Sequence, residues 1–224
     1  MDRSDLISVT NVTARSDPGA IFSEINLQVE KGTLRVLLGA TGTGKTTLFK
    51  MLIGEIPLGS GSIRVGDTDV GSLRSRNRAK FLRTIGTVFQ DTSLLDDRSV
   101  FDQIRLPLEL SGMKRTRREE QAAAIVERFR LEDVRSFYPR ALSMGMRQRI
   151  AIARAVTSEP LVLLADEPAA HLDAEQAKEI ADILMHENLR GMTVLIGTSD
   201  ERFASYFPAQ AVLPFPDSLM GNKK

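Results

Sequence analysis

The run GATGTGKTT, Gly39 to Thr47, stands between an apolar segment ending in Leu37-Leu38 and a stretch in which Leu48, Met51 and Leu52 repeat at helical spacing. It satisfies the pattern G-x-x-x-x-G-K-[ST], which restricts the fold because its chemistry needs a strand before it and a helix after it. Successive backbone N–H groups from Gly39, Ala40, Thr41, Gly42, Thr43 and Gly44 can wrap phosphate oxygens, and the helix that follows offers its positive end. Glycine is needed where a side chain would block that approach. Lys45 is then placed to neutralise β- and γ-phosphates, and the Thr46 hydroxyl to hold Mg2+, with Thr47 completing the cradle. A plain strand–turn–helix connection is the competing reading, disfavoured because the full motif falls at such a junction.

A second element is LVLLADEP, Leu161 to Pro168. An apolar run ending abruptly in two carboxylates describes a buried parallel strand that delivers them at its C-terminal edge, where ligands bind in open α/β sheets. Asp166 is expected to hold Mg2+ through water and Glu167 to polarise an attacking water. Taken alone, the pair could equally cap the next helix. With the glycine-rich loop it reads as half of a nucleotide site.

Composition excludes more than it assigns. Thirty basic and 29 acidic residues leave a net charge of +1, which gives no overall drive toward nucleic acid, and none is expected as a partner. The absence of cysteine excludes disulfides and thiolate metal sites. No apolar stretch approaches the roughly 18 residues of a membrane span, and MDRSDLISV lacks the apolar centre of a secretory signal.

Leu6 to Val12 and the alternating Ile25, Leu27 and Val29 predict antiparallel strands around a Ser-Asp-Pro-Gly turn. Strands are also expected at Thr33–Gly39, in GSIRVG, in RTIGTVFQD, in LVLLAD and in TVLIG. The segment from Val100 to Phe137 is helical in pattern, with Gly112 as a break; a helix follows to about Ser158 and another runs from about Ala174 to Leu189. The tail VLPFPDSLMGNKK reads as irregular. Strand–helix alternation at both ends around a helical middle predicts an α/β fold of one domain. Its core, residues 1–90 and 160–224, carries an N-terminal antiparallel β-subdomain, and a helical lobe is inserted at about 91–159.

With these motifs in order, the whole chain resembles the ATP-binding cassette (ABC) ATPases, a P-loop NTPase family with a mixed RecA-like core. The resemblance covers the phosphate loop, Gln90 in VFQD as the Q-loop glutamine, Leu142 to Met146 as the signature, Asp166-Glu167 as the Walker B end, and HLD with Asp173 as the D-loop. It implies that Gln90 joins Thr46 and Asp166 at Mg2+ and assists catalysis with Lys45 and Glu167. It also implies that two chains sandwich ATP head to tail, Ser143, Gly145 and Asp173 of one facing the nucleotide held by the other. RTIGTVFQDTSLLDDRSVFDQIRLPLELSG is similar to the cell-division subgroup FtsE, with lipoprotein-release and macrolide-export ATPases next. That subgroup implies a peripheral location on the cytoplasmic face of the inner membrane and a transmembrane partner of the FtsX type.

Three departures from the family pattern carry consequences. The signature LSGGQ reads LSMGM, so Met146 replaces a glutamine whose amide it cannot mimic. Ser199 stands where the family places a histidine, and no aromatic lies near Arg15 and Ser16 to stack on adenine. Losing one transition-state donor typically costs on the order of 100- to 1,000-fold in rate, so a slow ATPase is expected. The alternative is a regulatory or scaffolding cassette that binds nucleotide with little hydrolysis. His171 could stand in for the missing histidine or simply pack in the D-loop. The cluster Arg74, Arg76, Arg78, Lys80 and Arg83 could face anionic lipid or form a solvated surface.

Overall fold

The computed structural model describes residues 5–16, 19–216 and Leu219. The chain opens with strands β1 (Asp5–Ser16) and β2 (Gly19–Glu30), then β3 (Leu34–Leu38) and, across the glycine-rich loop, helix α1 (Lys45–Leu52). Strands β4 (Ser60–Val65) and β5 (Thr68–Asp69), helix α2 (Ser75–Leu82) and strand β6 (Ile85–Val88) follow. Helices α3 (Val100–Leu110), α4 (Arg115–Arg128) and α5 (Met144–Val156) come next. The chain continues through β7 (Val162–Asp166), α6 (Ala174–Leu189), β8 (Thr193–Thr198), α7 (Glu201–Ala204) and β9 (Val212–Pro214).

Two sheets result. The antiparallel one has the order β2-β1-β4-β5. Ile25, Leu27 and Val29 are all buried there, as their alternation requires. The second sheet, β6-β7-β8-β3-β9, is parallel throughout. Its strands are covered on both faces, which explains why they read as continuous apolar runs. In β7, Leu163 and Ala165 join a cluster with Ile150, Ala177 and Ile180 from the helices on one side. Val162 and Leu164 join Leu48, Leu52 and the β1–β2 residues on the other. The α/β fold with an antiparallel β-subdomain expected from the sequence is the fold observed.

Helices α3, α4 and α5 share a core of Ile104, Leu108, Ala122, Ile125, Val126 and Ile150. Two ion pairs tie them to α6: Arg149 to Glu179 at 2.6 Å, and Arg128 to the buried Glu187 at 3.3 Å.

Two elements depart from the sequence expectation. SRNRAKFL, read only as a basic cluster, forms α2, anchored by buried Phe81. Of the five cations Arg74, Arg76, Arg78, Lys80 and Arg83 in and around it, Arg78 donates to the Gly54 carbonyl and Arg83 to that of Leu110, so two serve the fold. The tail, expected to be irregular, adds β9 to the edge of β3, pairing Val36 with Val212 and Leu38 with Pro214. Proline is tolerated there because an edge strand needs no donor on its outer side. Buried Phe215 anchors the segment against Phe22, ring centroids 5.9 Å apart.

Candidate functional site

Strands β7, β8 and β3 are neighbours, so the segments leaving their C-terminal ends meet on one edge of the parallel sheet. The glycine-rich loop leaves β3, with Gly39 N donating to the Thr198 carbonyl at 3.1 Å. The loop reaches α1 through Gly44, whose φ is 100°. A Cβ at Gly44 would lie 2.6 Å from Ile21 Cγ2 and 2.7 Å from Phe22 Cδ1, so both backbone angle and space demand glycine. Thr43 closes the turn by donating its hydroxyl to the Ala40 carbonyl at 2.9 Å.

Lys45 opens α1 and is 5% exposed. Its ammonium donates to the carbonyls of Gly39 at 2.7 Å and Ala40 at 3.2 Å, and pairs with Glu167 at 3.5 Å. The lysine is thus folded over the loop that it would serve, with three oxygens around its charge.

Asp166 ends β7 and is only 2% exposed. Burial is the main cause raising its pKa above the ordinary carboxylate value, and the neighbouring Glu167 charge adds to it. A hydrogen bond from the Thr46 side chain and the charges of Lys45 and Lys50 oppose the shift without cancelling it. Its Oδ1 has no hydrogen-bond partner among the described residues. A buried carboxylate oxygen left open beside a threonine hydroxyl suits a hard cation such as Mg2+, which takes oxygen ligands and is usually held by one or two carboxylates plus phosphates. The described residues contain no cluster of three or more histidine, aspartate or glutamate side chains that could hold a metal ion.

Glu167 follows with a positive φ of 48°. Its Oε2 accepts the Thr198 hydroxyl at 3.2 Å and the Ser199 backbone N–H at 3.1 Å, while Oε1 faces Lys45. The carboxylate is therefore oriented by the end of β8. Ser199 makes this contact through its backbone. The sequence reading did not include Thr198; its importance depends on β8 lying beside β7, which the chain order alone does not give.

A cavity of about 320 Å3 opens beside this cluster, lined by Thr41, Gln90, Glu167, His171 and Ser199 among others. Gln90 Nε2 stands 3.5 Å from His171 Nε2 across it. The segment after Gln90 is gripped from α5: Arg154 donates to the carbonyls of Thr92 and Ser93, each at 2.9 Å, and reaches Gln103 Oε1 at 3.4 Å. Arg154 carried no sequence signal, reading simply as a polar position of an amphipathic helix.

Ser143, Gly145 and Asp173 lie elsewhere on the same chain and are not among the residues lining that cavity. Ser143 is the N-cap of α5, its Oγ accepting from Met146 N at 3.2 Å, and Asp173 caps α6 through Gln176 N at 2.8 Å. The two caps adjoin, since a Cβ on Gly145 would lie 3.1 Å from Gln176 Cδ. The side chains of Arg15 and Ser16, where an adenine-facing aromatic is missing from the sequence, lie outside the described ones.

Comparison with known proteins gives concordant results. The family model described as "ABC transporter" matches residues 22–170. The cell division ATP-binding protein FtsE of Mycobacterium tuberculosis is 36% identical over 87% of this chain and 86% of its own length. The ABC transporter ATP-binding protein YtrE of Bacillus subtilis is 33% identical over 85% of this chain and 84% of its own. The methionine import ATP-binding protein MetN of Rhizobium meliloti is 37% identical over 80% of this chain, but the match spans only 50% of that longer protein. Among solved structures, a dimeric post-hydrolysis state of the ATP-binding cassette MJ0796 bound to ADP and Pi superposes with a TM-score of 0.80. It is 25% identical, and the match covers 96% of this chain and 99% of that one.

Proposed function

The chain belongs to the ABC transporter ATPase family, and on that premise we propose that it is the ATP-hydrolysing subunit of an FtsE-like membrane complex. It works as a head-to-tail homodimer on the cytoplasmic face of the inner membrane, with a transmembrane partner of the FtsX type. The observation that carries the reading is the convergence of Lys45, Asp166 and Glu167 at one edge of the parallel sheet, where β8 lies between β7 and β3 and its end supplies two donors to Glu167.

In this reading the loop amides of residues 39–44 bind the β- and γ-phosphates. Lys45 leaves the Gly39 and Ala40 carbonyls for phosphate oxygens, a comparable hydrogen-bonding environment with more negative charge. Thr46, Gln90 and Asp166 hold Mg2+, which when bound neutralises phosphate charge. Release of Lys45 toward phosphate frees Glu167, whose carboxylate then accepts a proton from the attacking water, so that ATP and water give ADP and phosphate. Residues 91–159 act as a helical lobe that moves with the membrane partner, and Ser143, Gly145 and Asp173 complete the site of the other chain. Turnover is slow, because Met146 and Ser199 remove donors that the family pattern supplies.

Similarity to FtsE at 36% identity over 87% of this chain, together with the FtsE-like run that follows Gln90, supports that subgroup. The test is steady-state phosphate release by the purified chain, alone and with a co-expressed four-span membrane protein from the adjacent reading frame. Stimulated turnover that disappears in Glu167→Gln supports the proposal. Nucleotide binding with turnover indifferent to Glu167→Gln would identify a regulatory cassette instead, and failure of the two proteins to co-purify would remove the FtsX-type pairing.

A further inference from the structure

The stretch after Glu167 does more than connect β7 to α6. Two hydrogen bonds, Ala170 N to the Glu167 carbonyl at 3.1 Å and Leu172 N to the Ala169 carbonyl at 3.2 Å, fold it into a tight double turn. Within it Glu167 and His171 both adopt positive φ, 48° and 65°. Left-handed backbone is uncommon outside glycine, and side chains held there cluster where a site dictates their direction. Here the turn carries the exposed imidazole of His171 to the mouth of the cavity, opposite a residue 81 positions earlier.

The cavity wall has few groups able to donate to an anion arriving beside the glycine-rich loop. Glu167 is itself an anion when ionised, and the Thr198 hydroxyl and Ser199 N–H are already committed to it. Lys45 serves from the loop side. The Ser199 hydroxyl is short. The Thr41 hydroxyl, Gln90 and His171 remain, and a neutral imidazole can accept from the Gln90 amide at one nitrogen while donating from the other.

Resting on the nucleotide reading above, we propose that His171 is a catalytic residue of this chain, its ring N–H donating a hydrogen bond to a terminal phosphate oxygen of the ATP held by the same chain's loop. No proton changes hands at the ring. The imidazole orients and stabilises charge, with Gln90 as the group that holds it in place before nucleotide enters.

Affinities for ATP and ADP, read by displacement of a fluorescent nucleotide analogue in the non-hydrolysing Glu167→Gln background, test this directly. His171→Ala and His171→Asn should each weaken ATP about tenfold, the scale of one hydrogen bond to a charged group, and leave ADP within about twofold. Asparagine tolerates left-handed backbone, so an unchanged melting temperature in that variant separates loss of contact from loss of fold. Equal effects on ATP and ADP, or none, overturn the role of His171 even where turnover proves to depend on Glu167. A His171-dependent preference for ATP in a chain whose turnover ignores Glu167 supports the contact and overturns hydrolysis instead.

Discussion

Replacing Asp166 by asparagine should stabilise the nucleotide-free protein while disabling it. The carboxylate is 2% exposed, one oxygen lacks a hydrogen-bond partner, and a second carboxylate adjoins it. Leaving a buried polar group unsatisfied costs about 1–3 kcal/mol, more when it is charged, and asparagine removes the charge at nearly constant volume. For a domain of this size each kcal/mol moves Tm by about 2–4 °C, so Asp166→Asn should raise it by roughly 2–12 °C. The pH dependence has a definite sign. Because burial raises the folded pKa of Asp166, its contribution to stability is present below the unfolded carboxylate value and lost as pH rises through the raised one. Wild type therefore recovers stability on acidification and the asparagine variant does not, so the difference in Tm is largest near neutrality and closes as pH falls. Saturating Mg-ATP should reverse the order, since ligand at a hundred times Kd adds about 2.7 kcal/mol to a protein that binds it and little to one that has lost a Mg2+ ligand. Differential scanning calorimetry at several pH values, with and without Mg-ATP, reads all three effects. A nucleotide-free variant no more stable than wild type, or a difference that widens with acid, would refute the reasoning.

Thr198→Val deletes one of the two donors on Glu167 Oε2 at constant shape. It should lower kcat about tenfold with ATP affinity nearly unchanged, as measured by phosphate release and nucleotide titration. Arg154→Leu takes charged donors from the Thr92 and Ser93 carbonyls. A loss of about 2 kcal/mol is expected, with Tm falling by roughly 4–8 °C and new proteolytic cleavage just after Gln90. Gly145→Ala meets only the movable end of the Gln176 side chain and gains up to about 1 kcal/mol of helix propensity. Its Tm should therefore stay close to wild type, while turnover drops because the added methyl covers the first turn of α5; unchanged turnover would remove Gly145 from the partner-facing site.

The strands read from TLRVLLG, LVLLAD and TVLIG belong to the parallel sheet that is covered on both faces, where a continuous apolar run is what such burial demands. The α2 helix was missed because SRNRAKFL has a single buried anchor, Phe81, and Arg78 within it and Arg83 just after it bond to distant carbonyls. Strand β9 was missed because prolines mask it, and only its edge position makes them tolerable. Ser143 and Asp173 were named only through the family resemblance, as residues facing a partner's nucleotide; that they cap α5 and α6 within one chain is seen only in the structure.

What this sequence determined by itself is the glycine-rich loop and the carboxylates at the end of a buried strand. Phosphate is recognised by consecutive amides and their glycines, and a buried strand announces its own end, so both signals are contiguous along the chain. Only the tertiary structure decided which groups orient Glu167, what holds the segment after Gln90, and what His171 faces. Those contacts join residues 31, 62 and 81 positions apart, from Thr198 to Glu167, Arg154 to Thr92 and Gln90 to His171. They exist because strand order and helix packing bring distant segments within hydrogen-bonding range, and no local propensity encodes that proximity.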